Sequence, residues 1–287
     1  MNNVNIVDLY RKRFTVSIEI FPPKTEEGEK NLWRELSRIK KIDPGFISVT
    51  YGAGGSTREK TLDIALEVKN NMGITPLVHF TCVGSPRKEI ESFLNMVKDN
   101  KINNIMALRG DPPAGHDTFK PHPEGFAYAN ELVEFIRSVN GFTIAVAGYP
   151  EGHTEAPDLE TDIVNLKKKV DAGADLILTQ LFFNNNHFYD FMDRIEKAGI
   201  SIPVVPGIMP ITGLKQITRI NDLSGADIPP ELMEKLRCCD TEDQQSEAGI
   251  EFSMRQCSEL RDWGVPGIHL YTLNRARAAL KIAEHVI

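Results

Sequence analysis

The sequence predicts a (β/α)8 barrel, and three observations carry that prediction. Short apolar stretches alternate with amphipathic helical stretches from one end of the chain to the other, the pattern of a parallel sheet with helical crossovers. Eight strand candidates are present, and most repeats are about 30 residues, the size of one βα unit. The length of 287 residues suits a barrel of about 250 residues forming one domain, so residues 1–287 are expected to be a single catalytic barrel. An open, doubly wound sheet is the alternative. It is weakened because no G-x-G-x-x-G follows a strand. The nearest approach, Gly52-Ala-Gly-Gly-Ser-Thr57, has threonine in the last glycine position, and no Walker A sequence occurs.

The first strand is Thr15-Val-Ser-Ile-Glu-Ile-Phe21. A helix over about 27–42 follows, with Leu32, Trp33, Leu36 and Ile39 at helical spacing. The second strand is 46–50 and its helix 57–70. The third is 76–81, with a helix over about 86–98. The fourth is 104–108; a longer loop leads to a helix near 127–138. The fifth is 143–147 with a helix over 159–172, and the sixth is 176–180 with a helix over 187–198. After the seventh, 203–207, come a short helix near 214–220 and an inserted helical segment through Trp263. The eighth strand, 267–271, and a helix over 275–286 close the chain.

Composition narrows the function classes. The hydrophobic fraction of 41% and charged fraction of 25% are ordinary for a globular protein, and a chain this long buries enough surface to need no staple. A net charge of −7 argues against nucleic acid as the main partner, since its binders usually carry a basic patch. Cys82, Cys238, Cys239 and Cys257 have no C-x-x-C spacing, which leaves free thiols in a reducing compartment. The N-terminus has no basic segment followed by an apolar one. No apolar run approaches the ~18 residues of a membrane span. A cytoplasmic protein with no membrane partner is expected.

A barrel enzyme carries its reacting groups at the C-terminal ends of its strands. Those ends here hold Glu19, Thr50 with Tyr51, His79 with Thr81, Arg109 with Asp111, Tyr149 with Glu151, Gln180, and the segment 271–275. Side chains alternate along a strand, so Val16, Ile18 and Ile20 suit the helix-covered face, and Ser17 and Glu19 point into the barrel. Desolvation should raise the pKa of a carboxyl placed there and suit it to general acid work. An ion pair with an arginine such as Arg109 explains a buried Glu19 equally well. Phe21-Pro-Pro-Lys24 reads as a strand terminator. In Arg109-Gly-Asp111, Gly110 admits a flat ligand and Asp111 adds a negative charge, although Gly, Asp and Pro also make ordinary turns. His79, within an apolar strand, reads first as a core histidine. Asp162, Asn165 and Lys169 share one helix face, read alone as a solvated one. His116, Asp117 and His122 match no zinc spacing, and no metal site is expected. No G-x-S-x-G elbow is present.

The motifs occur as an ordered set: Val16-Ser-Ile-Glu-Ile-Phe-Pro-Pro-Lys24, Ser48-Val-Thr-Tyr-Gly-Ala53, Ala107-Leu-Arg-Gly-Asp-Pro-Pro113, Ala147-Gly-Tyr-Pro-Glu-Gly-His153, Asn165-Leu-Lys-Lys-Lys-Val-Asp-Ala-Gly-Ala174, Thr179-Gln180, Pro206-Gly-Ile-Met-Pro210 and Tyr271-Thr-Leu-Asn-Arg275. From about Ser17 to Arg275 the set closely resembles the short, bacterial-type methylenetetrahydrofolate reductases. The resemblance implies a barrel that holds FAD noncovalently. It would reduce 5,10-methylenetetrahydrofolate to 5-methyltetrahydrofolate with NADH or NADPH, by ping-pong hydride transfer, and so feed methionine synthesis. It implies Glu19 as general acid and Asp111 as a charge beside flavin and pterin. Thr50 is implied at the nicotinamide, Gln180 at both substrates in turn, and Gln216 and Arg275 at the folate. For FAD it implies Tyr51, Ala53, His79, Arg109, Gly110, Asp111, Tyr128, Ala129, Tyr149, His153, Asp162, Asn165, Lys168 and Lys169, which turns the polar helix face from solvated to cofactor-binding.

Three positions depart from the family pattern. Ile220 and Leu181 stand where phenylalanines are frequent, removing stacking worth about 1 kcal/mol. Lys168 stands for a frequent arginine and loses its planar fork. The family's eukaryotic C-terminal regulatory domain is not expected, and relatives suggest a homodimer or homotetramer. A pterin-binding barrel methyltransferase and a noncatalytic folate-binding barrel are the competing functions.

Overall fold

The computed structural model describes residues 4–51, 58–111 and 120–287. Eight parallel strands close on themselves in chain order, with the last hydrogen-bonded to the first. They are β1 Thr15–Ile20, β2 Phe46–Val49, β3 Thr75–Thr81, β4 Asn104–Leu108, β5 Thr143–Gly148, β6 Leu176–Leu181, β7 Val204–Ile208 and β8 Gly267–Tyr271. The barrel predicted from alternation is therefore the observed architecture, and no strand end differs from its expected position by more than one residue.

The two faces of each strand feed different cores. Val16, Ile18 and Ile20 of β1 join the larger apolar cluster between strands and helices. Phe46, Leu77, Met106, Ala145, Leu176, Leu178 and Val205 point inward and fill the barrel itself. Ser17 and Glu19 follow the inward set, as alternation requires.

One element was not read from the sequence. Helix α1, Ile6–Lys12, begins at Asn5, whose side chain accepts from the Val7 amide. It closes the N-terminal end of the barrel. Ile6, Val7 and Tyr10 are buried in the inner core, and the Asn104 amide ties β4 to the backbone of Val4 and Ile6. At seven residues, α1 is too short for a periodic signal and is held by tertiary burial.

The outer helices are α2 Glu26–Ile39, α3 Arg58–Asn70, α4 Arg87–Asp99, α5 Ala129–Val139, α6 Leu159–Asp171, α7 Asn185–Lys197 and, at the chain end, α11 Ala276–Val286. The helix expected over 27–42 instead ends at Ile39 and tightens into a 3-10 turn over 40–42, with Asp43 left-handed at φ 47°. Between β7 and β8 the chain inserts α8 Leu214–Ser224, α9 Pro230–Arg237 and α10 Glu242–Trp263. A Thr241–Gln244 capping box starts α10, and Gly264 stops it at φ 107°. These helices pack their own cluster around Ile211, Ile217, Leu232 and Leu236, which raises one wall beside the barrel mouth. No helix among the described residues is long and apolar enough to cross a membrane.

Candidate active site

The strand ends enclose a cavity of about 360 Å³, lined by Glu19, Thr50, Tyr51, His79, Thr81, Arg109, Gly110, Asp111, Tyr149, His153, Gln180, His269 and Tyr271 among others. It adjoins a larger cleft of about 1170 Å³ that runs under the inserted helices, with Gln216, Arg219, Ile220, Arg275 and Arg277 in its lining. The two spaces share Asp111, Tyr149, His153 and Gln180. A strand-end polar set thus faces two adjoining spaces of about 360 and 1170 Å³, at the end of the barrel where such enzymes react.

Glu19 lies at the floor. Its Oε2 is 3.3 Å from His79 Nε2 and 3.4 Å from His269 Nε2, and it accepts from Ser48 Oγ at 3.4 Å. Burial pushes its carboxyl up, but the two imidazoles, His79 foremost, more than reverse this and hold it down at about 2. The expectation from desolvation alone is corrected: an inward strand position removes water, yet it also faces the other inward positions, and two of these are histidines. Pairing with Arg109 is corrected as well. The Arg109 guanidinium forms a bidentate pair with Glu155 at 2.6 and 2.7 Å, and no ion pair joins it to Glu19 among the described residues.

His269 and Ser48 were not singled out in the sequence. The signal for His269 was available, since Gly267, His269 and Tyr271 occupy one face of β8. Ser48 Oγ lies 2.6 Å from His79 Nε2, so His79 serves this polar floor rather than the apolar core. Tyr271 hydroxyl donates to the Thr179 carbonyl at 2.6 Å. That carbonyl is free because β6 carries one extra residue there: Leu178 pairs with Val205, but Leu181 pairs with Gly207. The bulge carries Gln180 to the cavity, and the Gln180 Oε1 accepts from the Leu181 amide.

Above the floor, Gly110 has φ 92°, and a Cβ there would meet Val83 and Thr81 within about 3 Å. Only glycine permits this backbone to follow the wall. Tyr51 accepts from Arg58 Nε at 2.6 Å, a partner on α3 that the sequence did not suggest. His153 sets its ring edgewise on Tyr149, and burial pushes the Tyr149 phenol up to about 12. On α6, Lys169 donates to the Ala147 carbonyl at 2.6 Å and makes no ion pair among the described residues. Burial lowers its ammonium to about 8, partly offset by the nearby Asp162.

Other positions lie farther out. Tyr128 is exposed, Ala129 begins α5, and exposed Lys168 donates to Asn165; none of these lines either cavity, nor do Asp162 and Lys169. Gln216 lines the large cleft, but its amide also holds the β7–α8 turn through Thr212 and Pro210. Arg275 is exposed there at the start of α11. Leu181 and Ile220, the two aromatic departures, both line this cleft. Ala53, His116 and Asp117 lie outside the described residues.

A family model for methylenetetrahydrofolate reductase matches residues 5–286. The chain is 43% identical to methylenetetrahydrofolate reductase (NADH) 1 of Arabidopsis thaliana over 278 residues, which is 93% of this chain and 47% of that protein. It is 36% identical to 5,10-methylenetetrahydrofolate reductase of Escherichia coli, covering 95% of this chain and 90% of that one. The chain spans about half the length of the plant relatives it matches. In structure it is similar to a Clostridium thermocellum protein described as binding two copies of 5-methyl-5,6,7,8-tetrahydrofolic acid. The TM-score is 0.64 at 16% identity, over 98% of this chain and 96% of that one, a likeness of fold. With the ordered strand-end motifs now gathered around one cleft, the family match over nearly the whole chain places this protein in the methylenetetrahydrofolate reductase family.

Proposed function

We propose that this chain reduces 5,10-methylenetetrahydrofolate to 5-methyltetrahydrofolate, with FAD as bound cofactor and a nicotinamide nucleotide as electron donor. One observation carries the reading: a carboxylate, Glu19, lies at the floor of a strand-end cavity whose walls present Asp111 and Gln180, and this cavity joins a cleft of about 1170 Å³.

The residues present fit the cofactor. Lys169 is a half-buried cation that makes no ion pair among the described residues, suited to a diphosphate. Among the described residues Thr81 Oγ1 is buried without a hydrogen-bond partner in the cavity wall, where a ligand heteroatom would satisfy it. Tyr51, His79, Arg109, Gly110, Asp111, Tyr149 and His153 would hold the ring portion, and Asp162, Asn165, Lys168 and Lys169 the polar remainder beside Tyr128 and Ala129. When bound, FAD supplies a hydride carrier between nicotinamide and the one-carbon unit.

Glu19 delivers a proton to the folate nitrogen whose bond to the methylene carbon breaks, so that the ring opens to a cationic iminium. Asp111 stands at the junction of the two spaces, where its charge favours that cation over the neutral substrate. Gln180, carried by the bulge in β6, offers its amide to each substrate in turn, and Thr50 flanks the nicotinamide position. Gln216 and Arg275 contact the folate beyond the pterin, where a guanidinium suits a carboxylate. The plant relatives named as NADH enzymes support NADH as the donor.

Anaerobic stopped-flow absorbance on FAD-loaded protein tests this. NADH should bleach the flavin, and methylenetetrahydrofolate should restore its colour while 5-methyltetrahydrofolate accumulates. A protein that takes up no FAD overturns the reading in favour of a flavin-free barrel. Reduced flavin that methylenetetrahydrofolate never reoxidises leaves a folate-binding barrel.

A further inference from the structure

A chain of buried polar groups descends from Glu19 through the barrel. His269 Nε2 is 3.4 Å from Glu19 Oε2. On the far side of the same ring, Nδ1 is 2.8 Å from Ser17 Oγ. Ser17 Oγ is in turn 3.0 Å from the Tyr10 hydroxyl on α1 and 3.4 Å from the Ile268 carbonyl. His269 and Ser17 are both 0% exposed and Tyr10 only 6%, so these groups must satisfy one another.

We infer that His269 is a positioning residue that shares the transferred proton with Glu19, and that the Ser17 hydroxyl, by accepting from Nδ1, holds the ring so that Nε2 carries the proton it shares. This rests on the reading of Glu19 as the proton donor to folate.

The hydrogen-bond arithmetic carries the inference. A protonated His269 donates from Nε2 to Glu19 and from Nδ1 to Ser17. Ser17 accepts from Nδ1 and Tyr10 and turns its own proton to the Ile268 carbonyl; loss of the Nε2 proton through Glu19 leaves the Nδ1–H tautomer, which still donates to Ser17. The Ser17 hydroxyl keeps the same partners in both states, so the change is confined to the contact between Nε2 and Glu19. Burial pushes the Tyr10 phenol far up, which keeps it a donor throughout. The ring itself is held in place, stacked on Phe46 at 5.9 Å and edgewise to Tyr271 at 5.3 Å.

The His269 ring is fully buried. From β1 it faces the Glu19 carboxylate and Ser17, from α1 Tyr10, from β2 the apolar Phe46, and on its own strand Tyr271. His79 on β3 shares Glu19 Oε2, and the paired residue on β7 is Gly207, with no side chain. Glu19 is therefore the charged side chain in direct contact with it among the described residues. In the proton transfer, the pair begins as imidazolium and carboxylate. One N–H bond of the pair's ring is lost through Glu19, one N–H bond forms on the folate nitrogen, and that nitrogen's bond to the methylene carbon breaks. The pair ends as neutral imidazole and carboxylate, and solvent returns the proton before the next turnover.

Two measurements test this. In nitrogen-15 NMR of the whole protein, with ring signals assigned by their loss in His269→Gln, both His269 nitrogens should be protonated at low pH and one should lose its proton as pH rises. Glu19→Gln should move that transition down by about 1–3 units, the reach of a contacting opposite charge, and Ser17→Ala should move it in the same direction. A ring that stays neutral between about pH 5 and pH 9, the window for histidine, overturns the inference, whether or not the protein reduces folate. In single-turnover folate reduction, His269→Gln keeps an amide donor to Glu19 but carries no extra proton. The alkaline limb of its pH profile should move down by at least about one unit; an unmoved limb also overturns the inference. If His269→Gln does not fold, Ser17→Ala supplies the same profile, and a failure of folate reduction in the wild type counts against the proposed function while the NMR still decides this one.

Discussion

Glu19 sits between two imidazoles, His79 at 3.3 Å and His269 at 3.4 Å, and they decide where its proton resides. Its folded value of about 2 lies below the ordinary 4.5. The carboxylate therefore stabilises the fold above about pH 4.5, and that contribution is lost as the pH falls toward 2. The full shift corresponds to at most about 3 kcal/mol, and urea unfolding of wild type against Glu19→Gln at acid and neutral pH should show the difference shrinking at the acid end. The same variant should still oxidise nicotinamide but lose folate reduction by about 10²–10⁴-fold, the scale of general acid catalysis, as read by stopped flow. Lys169 offers a second residue-scale check. Its ammonium titrates near 8 rather than 10.5, so FAD affinity should fall as the pH rises through 8. Lys169→Met should weaken FAD binding about 10- to 100-fold, the 1.5–3 kcal/mol of a charge-assisted hydrogen bond, and remove that pH dependence in a fluorescence titration.

At the scale of elements, the bulge in β6 and the glycine facing it form one device. The extra residue frees the Thr179 carbonyl, Tyr271 caps it, and Gly207 leaves the room: a Cβ there would stand 2.2 Å from that carbonyl and 2.6 Å from the Tyr271 ring. Tyr271→Phe strands a buried acceptor and should cost about 1–3 kcal/mol in urea denaturation. If the hydroxyl also aims the bulge, the KM for folate should rise, because Gln180 shifts with it. An unchanged KM would confine Tyr271 to stability. Nothing in the sequence run 176–181 distinguishes this bulge from a regular strand, since the extra residue is defined only by the partner strand's register.

Over the whole molecule, the barrel is closed at one end and walled at the other. Helix α1 fills the N-terminal end with Ile6, Val7 and Tyr10, each contributing about 1.5–3 kcal/mol on burial. Removing residues 1–12 should therefore lower the urea midpoint markedly, and refolding yield should fall with the exposed inner core. Residues of α8 and α10 line the larger cleft at the opposite end together with the strand-end loops, so that part of the cleft wall comes from an insertion and the rest from the barrel repeat.

The barrel was legible in the sequence because a parallel (β/α)8 repeat writes itself locally: a short, largely apolar strand followed by an amphipathic helix, again and again along the chain. The inward direction of Ser17 and Glu19 was legible for the same reason, since alternation is a property of one strand. The ordered motifs at the strand ends were enough to indicate the family. What the sequence left undecided depends on residues far apart in the chain. The pairing of Arg109 with Glu155 crosses from one loop to another, and α1 is helical because the barrel floor buries it. The carboxyl of Glu19 was expected to rise because burial is readable from its own strand; it falls because His79 and His269, 60 and 250 residues away, meet it across the barrel. Local periodicity determined that Glu19 is a buried carboxylate at the reacting end, and tertiary closure alone decided which groups share its proton, because electrostatic neighbours in a closed barrel are set by register around the ring and not by distance along the chain.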